Sequence, residues 1–208
     1  NSKKTMRKTD NRTDGKSQAQ IQPVNTADTI STQLSDLHLD KDPILSVTAL
    51  IHHVRLTEPI CLWDSSSPEN AESVTAVMAK IEEYGLMQRC KLLEGRLATN
   101  EELLMVHSPE YIDRIKSTEK MTTEELHTLS DSYDLVYFHP KSYTACCLAV
   151  GCILQLVDEI MGSKVRNGMA VVRPPGHNAH RDSASAYCIF NNLAIAAGYS
   201  IKKHGVER

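Results

Sequence analysis

The sequence predicts an α/β domain built on a parallel sheet, and three of its features favour that fold class. Residues 46–54 and 168–173 are short runs rich in apolar and β-branched residues, which are typical of strands, and the second run has the pattern of an interior parallel strand. Helical patterns alternate with these runs along the chain, as they do in parallel sheets. The helical pattern at residues 142–161 is apolar nearly all round, so we expect that helix to be buried.

Length and composition limit the class of protein. The 208 residues allow one or two domains, and 41% apolar with 24% charged residues is ordinary globular composition, which excludes a fibrous or fully disordered chain. The net charge of −3 argues against a direct nucleic-acid binder, which would normally be basic. The apolar runs are shorter than the ~18 residues that a membrane span needs, so we expect no integral membrane protein.

The first part of the chain differs in composition from the rest. Residues 1–42 are predicted to be a disordered polar tail, because they cannot bury enough apolar surface to offset their ordering entropy. The folded domain is predicted to occupy residues 43–208. The basic residues near the start of the tail allow two interpretations, a nuclear-localisation or acidic-partner patch and a solvated tail with incidental lysines. Because the chain begins with Asn1 rather than Met, we expect a processed product or a fragment.

Capping patterns place the helices of the folded part in order. The segment Ser67-Pro68-Glu69 has the pattern of a helix start, and Gly85 supplies the end of that helix. Further helix starts are predicted at Thr99 with Glu102 as a capping box, at Ser108-Pro109, at Thr122 or Thr123, and at Ser142. A last helix is predicted from about residue 191 to residue 203, closed by Gly205.

The six cysteines and the adjacent histidines His52 and His53 are predicted to have structural roles. The chain has no CxxC pair and two of its cysteines are adjacent, so reduced thiols in a cytosolic or nuclear protein are favoured over disulfides. Cys146 and Cys152 lie in an apolar helical pattern, where free cysteine behaves as a small core residue. Neighbouring side chains on a strand point to opposite faces, so His52 and His53 are not expected to share a metal ion.

The segment Arg-Pro-Pro-Gly-His-Asn-Ala at 173–179 follows the predicted strand and is the most informative part of the sequence. Ligands of parallel sheets gather outside the carboxyl ends of the strands, and this loop lies at such an end. Its prolines restrict the backbone, and Gly176 allows a sharp turn. His177 is therefore well placed to exchange protons or to orient a ligand, although a structural hydrogen bond in a tight loop accounts for it equally well.

Four segments together resemble the zinc-dependent histone deacetylase family, in the same order along the chain. They are CLWD at 61–64, EELLMVHSPEYI at 101–112, SYDLVYFHP at 132–140 and NGMAVVRPPGHNAHRDSASAYCIFNNLAIAA at 167–197. The resemblance covers about residues 34–208 and is strongest to class IIb, in particular to the first catalytic domain of the cytoplasmic two-domain members that deacetylate tubulin. It implies a three-layer α/β arginase-like fold with one parallel sheet, of which residues 43–208 would be the N-terminal portion.

The resemblance also implies a reaction, the hydrolysis of acetyl-lysine amides in proteins. In the family a zinc ion polarises the acetyl carbonyl and a bound water, and two consecutive histidines handle the proton. His177 matches the first histidine, which supplies electrostatic and hydrogen-bond stabilisation. Asn178 stands where the second histidine, the general base, is expected, and an amide cannot take the proton. Since general acid–base catalysis contributes ~10²–10⁴-fold, we expect a loss of that order.

Three further positions are assigned to the substrate channel by the same resemblance. Tyr187 is expected to form an aromatic wall for the lysine chain, and Ala186 adds a methyl group where glycine keeps space in relatives. Leu135 stands where relatives carry a Ser or Asp that binds the substrate backbone, and its side chain cannot accept a hydrogen bond. His180 is an additional polar candidate, for which a solvent-facing loop position is favoured.

No metal ligands are predicted within this chain. In the family a later strand carries an Asp-x-His motif with two zinc ligands and a third Asp follows, and we expect the chain to end where that strand should begin. Catalytic zinc normally has three protein ligands, and no other residues replace them at suitable spacing. Zinc is therefore expected as the cofactor of the parent family, without tight binding to this chain.

Three functional hypotheses follow. In the first, the chain is a fragment of a protein lysine deacetylase that acts on acetylated histones, tubulin or other proteins, in the cytoplasm with the nucleus as a further location, and it is inactive by itself. In the second, it is a deacetylase-like module that binds tubulin or ubiquitin-pathway partners without turnover. The third, a hydrolase using Cys188 and His177, is disfavoured because Cys188 resembles a packed core thiol. None of them involves direct binding of nucleic acid or membrane.

Overall fold

A small parallel sheet organises the part of the chain that the structure, a computed structural model, describes, which is residues 47–207. Its strands are β1 (Thr48–Ile51), β2 (Cys90–Leu93) and β3 (Asn167–Ala170), arranged in the order β2-β1-β3. Both pairings are parallel, so the predicted parallel sheet is confirmed. Among the described residues β3 lies at an edge of the sheet and is partly exposed, so the interior position predicted for this strand is wrong there. The predicted polar tail, residues 1–42, lies outside the described residues.

The strands are shorter than the sequence indicates, and this changes the account of the two histidines. β1 ends before His52 and His53, so the expectation that they project from opposite faces of a strand is wrong. His52 instead donates from Nδ1 to the Val171 carbonyl at 3.1 Å, and the His53 ring accepts a hydrogen bond from the Arg55 amide at 3.1 Å. Both histidines thus hold the chain segments that follow the strands.

Helices cover both faces of the sheet. They are α1 (Ala71–Glu83), α2 (Asn100–Leu103), α3 (Pro109–Ser117), α4 (Thr123–Ser130), α5 (Ser142–Met161) and α6 (Asn192–His204). On one face, Val74 and Ile81 of α1 pack with Leu50. On the other, α5 packs against Ala49 and Ile51. Since alternate residues of a strand point to opposite faces, β1 contributes to both layers, and the predicted helix–sheet–helix arrangement is present.

Most of the helix starts are the predicted ones, because capping depends on residues that are close in sequence. Thr99 and Thr122 each form a complete capping box, and Ser108 caps α3, which has proline at its first position. Asn191 caps α6 by accepting a hydrogen bond from the Ala194 amide, and Gly205 ends that helix with a φ of +67°.

Two predicted caps are wrong. α1 begins at Ala71 rather than near Ser67, because Asn70 accepts hydrogen bonds from the amides of the first turn and the Glu69 carboxylate is used elsewhere. Ser142 is the first residue of α5 rather than its cap, and its hydroxyl accepts a hydrogen bond from the His139 amide at 2.9 Å.

α5 is the central helix of the described fold. Its length and hydropathy alone would let it cross a membrane, so the sequence-based statement that no run is long enough is wrong. Most of the helix is buried within the protein, which is the environment of a core helix. Cys146 and Cys152 lie in this core as predicted, and all six cysteines are free thiols.

Candidate functional site

The loop at 173–179 lies at the carboxyl ends of β1 and β3. The Val171 amide donates to the Ile51 carbonyl at 2.9 Å, so the chain stays beside β1 until the loop begins. Arg173 is buried, whereas His177 and Asn178 are exposed. The loop therefore presents the two candidate side chains to solvent from a buried base, at the edge of the sheet where ligands are expected.

Arg173 fixes the base of the loop in a buried network that the sequence analysis missed. Its side chain is only 3% exposed. It donates from Nε and Nη2 to the two carboxylate oxygens of Glu69, each at 2.7 Å, and from Nη2 to the Tyr137 hydroxyl at 2.6 Å. The carbonyls of Leu56 and Pro59 accept from Nη1 at 2.9 and 2.8 Å. We term Glu69, Tyr137 and Arg173 the arginine clamp.

One sequence signal for the clamp was present. An arginine at the end of a run predicted to be an interior strand is unusual, since arginine is almost never buried without partners. The sequence did not indicate which groups would pair with it, because Glu69 and Tyr137 are 104 and 36 residues away.

The far end of the loop is held by the start of α6. A β-carbon on Gly176 would lie 2.4 Å from the Asn192 backbone nitrogen, so only glycine fits this close approach. The Asn192 side chain donates to the Pro174 carbonyl at 3.3 Å, and the Asn191 side chain donates to the Ala179 carbonyl at 2.8 Å. The predicted reason for glycine was a sharp turn, but close packing against the helix is the constraint that the structure shows.

His177 and Asn178 contact each other at the exposed tip. The side-chain nitrogen of Asn178, Nδ2, lies 3.2 Å from His177 Nε2. An amide N–H can only donate here, so Nε2 is the acceptor and the ring proton of a neutral His177 is assigned to Nδ1. This contact favours the Nδ1-protonated form of a neutral His177, and the Asn178 side chain offers no basic site of its own.

The three predicted channel positions come together at one backbone contact. The Ala186 amide donates to the Asp134 carbonyl and the Tyr187 amide donates to the Leu135 carbonyl, each at 2.9 Å. The φ values of Leu135, Ala186 and Tyr187 are +52°, +45° and +67°, in a backbone region that residues other than glycine rarely adopt. The structure thus adds a second reason why glycine would suit position 186, which is backbone conformation.

Leu135 and Tyr187 border a surface cleft. Leu135 is 59% exposed, and both side chains line a cleft of about 240 Å³ together with Trp63 and Asp64. Tyr187 also contributes to a small cavity of about 20 Å³ beside the arginine clamp. Tyr187 therefore lies between the open cleft and the buried network.

Cys188 connects the segment that carries Ala186 and Tyr187 to the loop at 173–179, which we term the histidine loop. Its side chain is fully buried, and its sulfur accepts a hydrogen bond from the Asn178 amide at 3.4 Å. Burial raises the pKa of the Cys188 thiol, which keeps it protonated and unsuited to act as a nucleophile. His180 is exposed and makes a backbone hydrogen bond to the Ser183 carbonyl, in keeping with a solvent-facing loop residue.

His107 is a second buried residue that the sequence analysis left without a role. It is 1% exposed, donates from Nδ1 to the Arg181 carbonyl at 2.9 Å and accepts at Nε2 from the Asn191 amide at 2.9 Å. Both ring nitrogens are used by the neutral form, and burial lowers the pKa of His107. This histidine ties the chain beyond the loop to the start of α6.

The residues around His177 do not fit a zinc ion. Within residues 47–207 there is no group of three or more His, Cys, Asp or Glu side chains that could hold a metal. Next to His177, Asn178 already uses Nε2, and Cys188 is a buried thiol that would have to lose its proton to bind zinc. The described part of the chain therefore supplies no zinc donor set.

Comparison with known proteins gives consistent matches. The histone deacetylase domain model matches residues 67–208. Human polyamine deacetylase HDAC10 is 44% identical over 163 residues, which is 77% of this chain and 24% of that protein. Histone deacetylase 6 of Caenorhabditis elegans is 34% identical over 151 residues, which is 71% of this chain and 16% of that protein.

A solved structure agrees with the fold. The crystal structure of the HDA15 HD domain matches with a TM-score of 0.63 and 30% identity, and the match covers 73% of this chain and 42% of that chain. The chain spans about a quarter of the length of the human HDAC10 relative.

Proposed function

Because this chain belongs to the histone deacetylase family, in its class IIb, we propose that it forms part of a pocket that binds an acetylated amine for hydrolysis of its amide. The arginase-like α/β fold and the family are those that the sequence predicted. The observation that carries the proposal is the exposed His177 on a loop held from both ends at the carboxyl edge of the sheet.

Two side chains have distinct roles in this proposal. His177 donates a hydrogen bond from Nδ1 to the acyl oxygen, since its Nε2 is occupied by Asn178. Tyr187 forms one wall for the chain that carries the acyl group. Asn178 replaces the base that relatives have at this position, so proton transfer from water is slowed by ~10²–10⁴-fold.

The zinc ion of the family polarises the acyl carbonyl and its attacking water when bound. The residues described here do not supply its donors, so the proposal assigns them acyl binding and orientation only. Turnover then requires this chain to act with zinc ligands from further polypeptide, and the isolated chain is expected to be inactive.

Acetyl-lysine in cytoplasmic proteins such as tubulin, or in histones, is the substrate class that the family resemblance favours. A second candidate is an acetylated polyamine, because relatives from human, rat, mouse and zebrafish that are 43–45% identical carry the name polyamine deacetylase. Both substrates present an acetamide on an aliphatic chain, so the same His177 contact serves either.

Ligand binding by the 208-residue chain tests acyl recognition without requiring turnover. An acetyl-lysine peptide is titrated against its unacetylated counterpart while the His177 ring is followed by NMR. We expect the acetylated peptide alone to shift the ring signals, and the His177→Ala variant to lose its binding. The matched control is Tyr199→Phe, which removes a buried hydroxyl bonded to Asp158. Equal binding of both peptides would contradict the proposal, and repeating the titration with an acetylated polyamine decides the substrate class.

The role of Asn178 is tested by rate. In a hybrid that joins this chain to the zinc-ligand region of a family relative, Asn178→His is expected to raise acetate release by ~10²–10⁴-fold. Equal rates for the two hybrids would show that Asn178 does not limit proton transfer.

A further inference from the structure

We propose that Glu69 and Tyr137 are positioning residues for His177, acting through Arg173. The importance of this role for substrate binding rests on the proposed function. The structural claim, that the arginine clamp sets the position of the histidine loop, does not depend on catalysis. The clamp joins four chain segments, which are the turn after β1, the approach to α1, the approach to α5 and the loop after β3.

The clamp fixes the guanidinium of Arg173 completely. Two parallel hydrogen bonds to the Glu69 carboxylate set the plane of the group, and the remaining donors reach two carbonyls and one hydroxyl. All five N–H donors of the arginine have acceptors within 2.9 Å. A side chain held in this way cannot rotate without breaking several charge-assisted hydrogen bonds at once.

Tyr137 completes the clamp beside the contact between Arg173 Nη2 and Glu69 Oε2. Its hydroxyl accepts from Arg173 and donates to Glu69 at 2.8 Å, so it bridges the ion pair. Burial, with the nearby Glu69 carboxylate, raises the pKa of Tyr137, so the proton needed for this bridge stays in place. Removal of the hydroxyl alone would leave the ion pair and the two carbonyl contacts in place and take away one of the five acceptors that hold the guanidinium.

The clamp is coupled to His177 through a stiff connection. Three residues lie between Arg173 and His177 along the chain, and two of them are prolines, which restrict the backbone. Gly176 is wedged against Asn192, so the loop has little room to absorb a displacement at its base. A shift of Arg173 is therefore passed to the exposed tip.

The same clamp borders the proposed channel wall. The small cavity of about 20 Å³ is lined by Glu69, Tyr137, Arg173 and Tyr187. Its volume is enough for about one water molecule, so the wall residue and the base of the histidine loop lie on one small void. The clamp thus borders both parts of the proposed pocket.

Two variants test the inference against a matched control. Tyr137→Phe removes the bridging hydroxyl, and Arg173→Lys keeps the charge but loses the planar fork that binds Glu69. Tyr199→Phe removes a comparable buried hydroxyl that contacts Asp158 outside the loop. Each variant of the full chain is compared by thermal melting, by the NMR signals of the His177 ring and by affinity for the acetylated peptide.

We expect Tyr137→Phe and Arg173→Lys to move the His177 ring signals and to weaken peptide binding by about tenfold, the equivalent of one lost hydrogen bond. Tyr199→Phe is expected to lower the melting temperature while leaving the ring signals and the affinity unchanged. If Tyr137→Phe behaves like Tyr199→Phe, the positioning role is wrong. If wild-type chain binds no acetylated peptide, the proposed function fails, and the ring signals alone then decide the positioning role.

Discussion

Gly176 and Gly198 offer a direct test of how the histidine loop is packed, because the same substitution should have opposite effects at the two positions. A β-carbon at Gly176 would lie 2.4 Å from the Asn192 backbone nitrogen and 2.5 Å from its Cγ. At Gly198, within α6, the nearest neighbour would be the Met105 β-carbon at 3.8 Å, an ordinary contact. Gly176 lies in a loop and Gly198 within a helix, so the two sites differ in backbone conformation as well as in available space.

The expected magnitudes follow from these distances. At Gly176 the overlap involves backbone at the start of a capped helix, so the loop must move, and overpacking of this kind costs about 1–3 kcal/mol. Because alanine restricts the unfolded chain more than glycine does, this effect offsets about 0.4–1 kcal/mol of the destabilisation. At Gly198 the methyl group fits, and alanine in a helix interior is favoured over glycine by about 0.5–1 kcal/mol.

Urea unfolding of the full chain, followed by circular dichroism, measures both effects. We expect Gly176→Ala to lower and Gly198→Ala to raise the free energy of unfolding, with a difference of about 0.5–3.6 kcal/mol between the variants. The His177 ring signals should move only in Gly176→Ala. If the two variants are equally stable and leave the ring signals unchanged, the close approach of the loop to Asn192 is not a constraint.

Three further outcomes are expected. Because burial holds the pKa of His107 below its ordinary 6.5, the unfolded chain binds more protons below that pH, so stability should fall on acidification by up to about 1.4 kcal/mol per pH unit; a His107→Gln variant that keeps the full pH dependence in urea unfolding would contradict this. Ala186→Gly should stabilise the chain by about 0.5–1 kcal/mol by relieving its positive φ, whereas Ala196→Gly within α6 should destabilise it by about 1 kcal/mol; a lower melting temperature for Ala186→Gly would refute the assignment of strain. Calorimetric titration of the chain with zinc should show no tight stoichiometric site, and tight binding would overturn the donor-set argument.

Features that depend on neighbouring residues were predictable from the sequence. The capping boxes at Thr99 and Thr122, the proline start at Ser108 and the glycine end at Gly205 all appear where the pattern placed them. Each involves groups within about one helical turn, so no knowledge of the fold is needed.

Features set by distant contacts were not predictable. The start of α1 shifted to Asn70 because Glu69 pairs with Arg173, a residue 104 positions away. β2 was missed because its central Lys91 and Leu92 are exposed at the edge of the sheet and give no buried-strand pattern. The histidine loop itself was located correctly, but its support by Arg173 needed the structure.

The span of the arginine clamp along the chain also orders events during synthesis. Glu69 and Tyr137 leave the ribosome well before Arg173. Before Arg173 emerges, their polar groups have no cationic partner that would offset the cost of burying them. The turn after β1 and the approach to α5 are consequently joined only when the last of the three strands has emerged. Until Arg173 has emerged the clamp cannot form, and α6, which holds the far end of the loop, follows it in the chain.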